Sequence, residues 1–413
     1  MTRIVIVCIT FVLVISCSAR SAIQKNDEQP ENLQGNIALW IELPLGLTES
    51  QHRKVQDVLG DVIEEWSELY PQTEVFIKFF LAEKILEPFV AQVTRGAGPD
   101  LILTYYNPAL LQLIEDGVLR SLHADEVNTF QFRPEALESV RYDDELYGIP
   151  AYLSTQVLCY NKDKVDLSAL PQTLPALIEQ ARKGYSVGIH SGFAATLWGT
   201  GLFGRQLSDV QEPAILAWRR GWKQWMEWLK DAQNEPNLIL SEDTQALQQA
   251  FVDGQLAYLT CHSDWTPYFS DVLGRDTLGA TLLPGNDFQS AIPPLVTTSF
   301  FFNQASSDNQ TKLAIKLAQF ITNEEQQKQI AAGIPFIPSN KNLTFNPQLF
   351  PIRATLLEQA KTARNLSLDD AETLEAVKFQ GDSFYQKILA GEIDTDDAAI
   401  EMRRAVDQQL QSN

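Results

Sequence analysis

The chain has 413 residues, of which 45% are hydrophobic and 21% charged, a composition that is ordinary for a soluble globular protein. With 53 acidic and 32 basic side chains its formal net charge is −21, which argues against nucleic acid and against an anionic membrane surface as direct partners. Because a single hydrophobic core stops growing at about 250–300 residues, the length predicts two lobes or domains.

The N-terminal segment is predicted to be a targeting signal followed by a tether. After a basic residue, residues 4–15 form an apolar stretch that is too short to span a bilayer comfortably. The sequence V-I-S-C that ends at Cys17 resembles a bacterial lipobox. We therefore expect a lipoprotein signal peptide at residues 1–16, a lipidated Cys17 and a disordered polar tether at residues 17–35, with an ordinary signal peptide as the alternative.

Two further cysteines, Cys159 and Cys261, lie on predicted strands of one lobe. Export from the cytoplasm would allow them to form a disulfide. A single sheet, however, can hold two cysteines far beyond disulfide reach. Buried free thiols are therefore the preferred interpretation, and a disulfide is the alternative.

The first part of the chain alternates between strands and helices. Strands are predicted at residues 36–43, 74–80 and 100–104. Thr48 and Gln51 form a capping-box pattern at the start of an amphipathic helix that Pro71 closes. Pro88 marks the start or a kink of a second, short helix. This alternation predicts a doubly wound, mostly parallel sheet.

The alternation resumes after a polar turn near residue 144. Further strands are predicted at residues 156–160, 185–189, 255–261, 279–283 and 296–303. Before this turn, helices are predicted at residues 107–117 and 134–142. After it, helices are predicted at residues 174–183, 193–202, 213–231, 241–253, 265–273, 312–322 and 324–331. Beyond Pro338 the chain is predicted to be helical to residue 411, with breaks near Gly381 and Gly391.

A set of short motifs occurs in a characteristic order. The turn Y-G-I-P at residues 147–150 precedes the strand end Y-N-K-D at residues 160–163 by about ten residues. Further motifs are G-P-D-L-I at residues 98–102, F-V-D-G-Q-L-A at 251–257, A-Q-F-I-T at 318–322 and G-I-P at 333–335. The ordered set, which covers nearly all of residues 36–413, resembles the family 1 extracellular solute-binding proteins of ABC importers, the relatives of maltose-binding protein.

The resemblance implies the α/β fold of type II periplasmic binding proteins, with two doubly wound α/β lobes joined by a hinge and a ligand cleft between them. It assigns residues 36–150 and 295–338 to the N-terminal lobe, and residues 151–294 and 339–413 to the C-terminal lobe. The hinge crossings are expected at residues 151–155 and 295–298. We expect a monomer.

No catalytic or metal-binding motif is recognisable. The four histidines, His52, His123, His190 and His262, have no metal-ligand spacing to another histidine, cysteine or carboxylate. The chain also lacks a G-x-S-x-G elbow, a P-loop and a G-x-G-x-x-G turn after a strand. We therefore predict that it is not an enzyme and that it needs no cofactor and no metal.

Candidate ligand-binding residues follow the carboxyl ends of the predicted strands, where open α/β folds place their sites. In the first lobe they are Glu42, Tyr105, Tyr106, Asn107, Tyr152 and Ser154. In the second lobe they are Phe193, His262, Asp264, Trp265 and Tyr268, and His190 lies close to Phe193 in the chain. Trp218, Trp222 and Trp225 are left out, because their helical spacing predicts one buried stripe.

This mixture of side chains suits a sugar. A pyranose ring stacks its C–H face on an aromatic ring, while its hydroxyls need paired donors and acceptors. By resemblance, Trp265 lies beside the aromatic residue that stacks on sugar in the family. Asn107 and Ser154 stand where many relatives have acids, so the ligand's identity stays open. Asn107 is equally explained as a helix cap.

We therefore expect an extracytoplasmic protein, lipid-anchored to the membrane, that captures a sugar or related polyhydroxylated solute for an ABC permease. Hinge closure on the ligand would let the permease distinguish loaded from empty protein. One alternative is a sensory binding lipoprotein that reports its occupancy to a membrane receptor. Another is a binder of a polyamine or of iron in place of a sugar.

Overall fold

The computed structural model describes residues 33–44, 47–105, 107, 109–203, 221–334, 336–366, 368 and 371–412. The predicted signal peptide, the lipidation site Cys17 and nearly all of the tether lie outside these residues, as do Trp218 and the first part of the helix predicted at residues 213–231.

Fourteen strands are present in the described residues. They are β1 (Gly35–Glu42), β2 (Thr73–Phe80), β3 (Leu101–Tyr105), β4 (Arg141–Tyr142), β5 (Glu145–Leu146), β6 (Gly148–Ser154), β7 (Gln156–Asn161), β8 (Val187–His190), β9 (Leu238–Ser241), β10 (Tyr258–His262), β11 (Leu278–Thr281), β12 (Pro294–Phe302), β13 (Ile337–Pro338) and β14 (Arg364–Asn365).

The α-helices of the described residues are α1 (Glu49–Leu69), α2 (Leu86–Val93), α3 (Ala109–Glu115), α4 (Pro134–Glu138), α5 (Leu174–Arg182), α6 (Leu197–Thr200), α7 (Trp222–Ala232), α8 (Thr244–Val252), α9 (Thr266–Leu273), α10 (Asp308–Ile321), α11 (Glu324–Gly333), α12 (Pro351–Ala360), α13 (Ala371–Leu389) and α14 (Thr395–Ser412). Short 3₁₀ turns lie between several of them.

The strands form two principal sheets. The first has the order β13-β6-β12-β3-β1-β2, with β14 beside β12, and the second has the order β11-β7-β10-β8-β9. In the first sheet β1 is parallel to β2 and β3, whereas β12 runs antiparallel to β3 and β6. In the second sheet β8 is parallel to β9 and β10, and β7 is antiparallel to β10 and β11.

Helix α1 forms as the sequence predicts. The Thr48 side chain accepts from the backbone amide of Gln51, and the Gln51 side chain accepts from the backbone amide of Thr48, so the capping box is complete. Its buried face presents residues at helical spacing, namely Val55, Leu59, Val62, Ile63 and Trp66. The predicted stripe of α7 is likewise confirmed where it is described, because Trp222, Trp225 and Leu229 are fully buried.

The predicted break at Gly381 is wrong. Helix α13 runs without interruption from residue 371 to 389, past this glycine. A Cβ atom at Gly381 would lie 2.1 Å from Cδ1 of the buried Phe193 ring, so the glycine is needed for close packing and not as a helix end. Gly391, with φ of +73°, does lie in the turn between α13 and α14.

Cys159 and Cys261 form a disulfide between β7 and β10, with Cα atoms 5.8 Å apart. The preferred interpretation of two free thiols was therefore wrong. The antiparallel register explains the pairing, because Cys159 lies opposite Leu259 and Cys261 lies opposite Val157. This diagonal arrangement brings the two sulfur atoms together across adjacent strands.

The chain passes from the first sheet to the second at Thr155, between β6 and β7. Thr155 is fully buried, and its hydroxyl donates to the carbonyl oxygen of Pro294, 2.9 Å away, where β12 begins. The strand that leaves the first sheet and the strand that returns to it are therefore joined directly by a hydrogen bond.

The C-terminal helices pack on the second sheet and its helices. Helix α12 contacts β7 and β11, and the Gln359 side chain accepts from the backbone amide of Leu283 at 2.8 Å. Helices α13 and α14 pack on each other and on α7. The second sheet is therefore covered by segments from both the middle and the end of the chain.

Candidate functional site

Glu42 is the last residue of β1, and its carboxylate is almost completely buried, with 3% of the residue exposed. It accepts hydrogen bonds from the Thr104 hydroxyl on β3 and from the backbone amide of Glu83. Burial raises the pKa of Glu42, and these hydrogen bonds offset only part of that effect. The carboxylate therefore organises the carboxyl ends of β1, β2 and β3.

Tyr105 and Tyr152 are brought into one row by strand register. Thr298 on β12 lies opposite Tyr105 on one side and opposite Tyr152 on the other. Residues directly opposite each other in neighbouring strands point to the same face of a sheet. A bulge in β6, between the partners of Thr298 and Ser299, lies at this row.

The two tyrosines differ in their surroundings. The Tyr152 ring stacks on Phe336, with ring centroids 4.1 Å apart and planes inclined by 7°. The Tyr105 hydroxyl is buried beside the backbone of Glu83. Burial is the main cause that raises the pKa of both tyrosines. Glu42 adds to the increase for both, together with Glu83 for Tyr105 and Asp264 for Tyr152.

The second sheet contributes the segment that follows β10. His262 ends the strand, and Ser263–Trp265 forms a 3₁₀ turn that leads into α9. Nδ1 of His262 lies 3.7 Å from a carboxylate oxygen of Asp264, and the rings of His262 and Trp265 are 6.2 Å apart. Trp265 and Tyr268 are both partly exposed.

This segment is attached to the crossing between the sheets. The backbone amide of Ser263 donates to the Thr155 carbonyl at 2.8 Å, and the Thr155 amide donates to the Ser263 hydroxyl oxygen at 3.2 Å. The Ser263 hydroxyl in turn donates to Asp264 at 3.1 Å. Asp264 of the second sheet is thereby held within electrostatic reach of Tyr152 in the first.

His190, at the end of β8, belongs to the same edge of the second sheet. Its Nε2 atom lies 3.2 Å from both the Glu242 carbonyl and the Thr244 hydroxyl. Burial lowers the pKa of His190, and the nearby His262 adds to this decrease. The two histidines therefore flank one polar region at the carboxyl ends of β8 and β10.

Phe193 is not part of this region, and its assignment to the site is corrected. The residue is fully buried, its ring meets Trp222 edge to face at 5.9 Å, and its backbone amide donates to Asp382 at 2.7 Å. The turn after β8 points this ring into the packing against α13, so it offers no surface to a ligand.

Three other predicted residues have less distinctive positions. Asn107 is partly exposed and its side chain accepts from the backbone amide of Ala109 at 2.9 Å, which is the capping role that the sequence allowed. Ser154 is buried at the end of β6, opposite Val296. Tyr106 lies outside the described residues.

Sequence reasoning missed Glu83 and Thr298. Thr298 lies within an apolar strand, and only the sheet register shows that it separates the two tyrosines. Glu83 lies in the loop after β2, and its φ of +62° is uncommon for a residue other than glycine. No local pattern in the sequence predicts that conformation.

A small apolar cavity lies beneath Glu42 and Tyr152. It is bounded by the sheet and by α1 and α11, and includes Val55, Leu59 and Phe336 in its lining. Its volume of about 20 Å³ has room for about one water molecule. A sugar ring does not fit in this cavity.

The described residues contain neither a membrane-spanning helix nor a metal cluster. None of the described helices combines the length and apolarity needed to cross a membrane. No group of three or more histidine, cysteine or acidic side chains in the described part of the chain is arranged to hold a metal ion.

Comparisons with known proteins identify related sequences and structures. The sequence family described as bacterial extracellular solute-binding protein matches residues 82–351. A galactooligosaccharide-binding protein of Bacillus subtilis (strain 168) is 23% identical over 319 residues, which cover 72% of this chain and 74% of the relative.

Solved structures show the same fold. A cyclo/maltodextrin-binding protein complexed with maltotetraose superposes with a TM-score of 0.74 at 17% identity, covering 92% of this chain and 98% of its own. A maltose/maltodextrin-binding domain from Bdellovibrio bacteriovorus bound to maltotriose gives a TM-score of 0.71 at 18% identity, covering 91% and 100%. The predicted fold of two α/β lobes, typical of type II periplasmic binding proteins, is confirmed.

The matching family and these relatives are binding proteins and not enzymes, as predicted for this chain. The match covers well over half of the sequence, from the loop after β2 to the start of α12. The chain therefore belongs to the family of bacterial extracellular solute-binding proteins.

Proposed function

We propose that the chain captures a sugar or a related polyhydroxylated solute and delivers it to the membrane permease of an ABC importer. The observation that supports this most directly is the arrangement of Tyr105, Tyr152 and Trp265. These aromatic side chains come from both sheets and stand beside the carboxylates of Glu42 and Asp264.

Such a site matches the two surfaces of a pyranose. Trp265 has a partly exposed ring on which the C–H face of a sugar can stack. The Tyr105 hydroxyl, which lies beside the Glu83 backbone, can bond a sugar hydroxyl. A ligand that left this buried hydroxyl unpaired would bind less well, which is a source of specificity.

The names of the relatives support a carbohydrate ligand. One is a galactooligosaccharide-binding protein, and two solved structures contain maltotetraose and maltotriose. The proposed ligand set combines Glu42, Tyr105, Asn107, Tyr152, Ser154, His262, Asp264, Trp265 and Tyr268.

We further propose that the lobes comprise residues 36–150 with 295–338 and residues 151–294 with 339–413. They would close on the ligand about the crossings at residues 151–155 and 295–298. The hydrogen bonds of Thr155 to Ser263 and Pro294 support a hinge there. Lipidation of Cys17 would tether the protein near its permease.

Thermal melting of residues 18–413 against sugars, polyols, compatible solutes, amines and metal ions tests this proposal. A ligand at a hundred times its dissociation constant should stabilise the protein by about 2.7 kcal/mol. A melting shift with a carbohydrate supports capture of sugar. Shifts with amines or metal ions and with no carbohydrate would contradict it and leave only the fold.

A further inference from the structure

Strand β2 forms an open edge of the first sheet. Among the described strands only β1 pairs with it, in a parallel register. The backbone amide of Leu43 donates to the carbonyl oxygen of Phe80 at 2.8 Å, so the even-numbered residues of β2 turn their backbone groups towards β1. Because successive residues of a strand face opposite sides, the backbone groups of Val75, Ile77 and Phe79 point outward, where a further strand can pair with them.

The exposed face of β2 carries a charge on either side of an aromatic ring. Glu74, Phe76 and Lys78 are exposed and alternate with half-buried residues, so they share one face of the strand. Phe76 is 51% exposed. The ammonium of Lys78 lies over the ring of Trp40, at 4.9 Å from its centroid. A strand with the reverse order of charges would set a base opposite Glu74 and an acid opposite Lys78, and an antiparallel second copy of β2 has that order.

One antiparallel register satisfies both the backbone and the side chains. In this register Val75 of one copy lies opposite Ile77 of the other, so the outward backbone groups form hydrogen-bonded pairs. Phe76 then lies opposite its own copy on the two-fold axis, and Glu74 lies opposite Lys78 at two symmetric positions. A slip of two residues in either direction would set Phe76 opposite a charged side chain, so the pattern specifies the register.

The two ends of β2 present exposed apolar residues at matching places. Leu81, directly after the strand, is 59% exposed, and Leu69, the last residue of α1, is 56% exposed. In the same register Leu81 of one copy lies opposite Pro71 of the other, two residues from Leu69. The two-fold axis repeats this contact at the other end. Burial of these apolar side chains would stabilise the pair of strands.

We infer that β2 is a dimerisation edge, at which a second copy of this chain adds its own β2 in antiparallel order and joins the two first sheets into one continuous sheet. Charged residues on an edge strand usually oppose pairing. Here they favour one partner, because Glu74 and Lys78 match only a strand with the reverse order of charges. The contact is small, so association is weak and depends on concentration. The inference departs from the monomer expected from the sequence and does not depend on the ligand.

Sedimentation velocity tests the association between about 1 and 200 µM. It uses residues 18–413, which retain every residue that the structure describes. We expect a reversible dimer whose fraction rises with concentration. Glu74→Lys places like charges opposite each other at two positions and should weaken dimerisation about tenfold. The double variant Glu74→Lys/Lys78→Glu exchanges the charges and should bring the dissociation constant back to within about threefold of the wild type.

Glu401→Lys is the matched control for the charge reversal. Glu401 is exposed on α14, and its substitution changes the net charge as Glu74→Lys does. The dissociation constant of the dimer should therefore stay at the wild-type value in this variant.

A cysteine on the two-fold axis tests the register. In Phe76→Cys the Cα atoms of the two copies would be about 4.5 Å apart, the separation of a non-hydrogen-bonded pair and within disulfide reach. Mild oxidation should therefore give a covalent dimer. Lys78→Cys would place the substituted residue about 14 Å from its copy, so it should not form one.

Wild-type protein that stays monomeric at the highest concentration overturns the inference. A dimer that Glu74→Lys leaves intact does so as well, because it must use another surface. If the double variant does not recover, Glu74 does not pair with Lys78. Covalent dimers of Lys78→Cys as abundant as those of Phe76→Cys refute the register.

Discussion

Trp265 is the partly exposed aromatic residue on the turn that connects β10 to α9, and its ring meets Phe269 edge to face at 6.4 Å. We expect Trp265→Ala to weaken binding of the sugar identified by melting about tenfold, because the stacking surface is lost. Calorimetric titration of the wild-type and variant proteins measures the change.

Trp228→Ala is the matched control for that experiment. Trp228 is also partly exposed, and it stacks on Trp225 with centroids 4.9 Å apart, within the packing of α7. Its removal should lower the melting temperature and leave the dissociation constant unchanged. If both variants lose affinity equally, the effect of Trp265 is one of stability and not of contact.

The buried carboxyl of Glu42 should make the free energy of unfolding depend on pH. Burial is the main cause that raises its pKa above the ordinary value of 4.5. The folded chain thus holds this proton more tightly than the unfolded chain. The resulting stability is fully present below the unfolded pKa and is lost as pH rises through the folded pKa.

We therefore expect the free energy of unfolding of the wild type, relative to Glu42→Gln, to decrease as pH rises from about 4 to about 7. Urea titrations of both proteins across this range measure the difference, with Glu401→Gln as an exposed control. A difference that stays constant, or one that increases with pH, would contradict the direction of the pKa change.

At the scale of residues, the sequence predicted which residues lie at strand ends better than it predicted what their side chains contact. The rule that sites follow strand ends selected Glu42, which acts on Tyr105 and Tyr152, and Asp264, which acts on Tyr152. The same rule failed for Phe193, because the direction of a side chain in a turn depends on packing against a helix some 190 residues later. Glu83 was missed because a left-handed backbone here is imposed by a distant carboxylate.

At the scale of helices and strands, a glycine shows the same limit of prediction from sequence. The sequence predicted that Gly381 breaks a helix, yet a neighbouring ring is what requires glycine there. We expect Gly381→Ala to lower the free energy of unfolding, because the new methyl group overlaps the buried Phe193 ring. This loss should exceed the gain in helix propensity of about 1 kcal/mol.

Gly60→Ala in α1 provides the matched comparison. A Cβ atom at Gly60 would meet nothing within 4 Å, so only the propensity gain of about 1 kcal/mol should remain. Urea denaturation of the two variants should therefore give shifts of opposite sign. Stabilisation by Gly381→Ala would show that the Phe193 ring can move aside.

The disulfide between β7 and β10 is the second feature that periodicity could not decide, because it depends on strand register. The bond joins residues separated by 102 positions. We expect the double variant Cys159→Ala/Cys261→Ala to lose about 2–5 kcal/mol of unfolding free energy. Two reactive thiols in unreduced, denatured wild-type residues 18–413 would contradict the bond, since no other cysteine is present in that segment.

For the whole molecule, which acts outside the cytoplasm as a member of its family, the proposed capture of a sugar should be accompanied by closure of the two lobes. A compact chain of this size has a radius of gyration of about 22 Å. We expect small-angle scattering to show a smaller radius when the sugar is bound, and no change for Trp265→Ala at a sugar concentration too low to load it. An unchanged radius in fully loaded wild-type protein would exclude a hinge mechanism.

The position of β12 in the first sheet has a consequence for the order in which the chain folds during export. Among the described strands, β12 alone joins β3 to β6, yet all five strands of the second sheet precede it in sequence. The strands β3 and β6 of the first sheet therefore stay unjoined until about residue 300 has been made, and pairings so distant in sequence form slowly. A polypeptide that must be threaded through a membrane before it folds benefits from that delay.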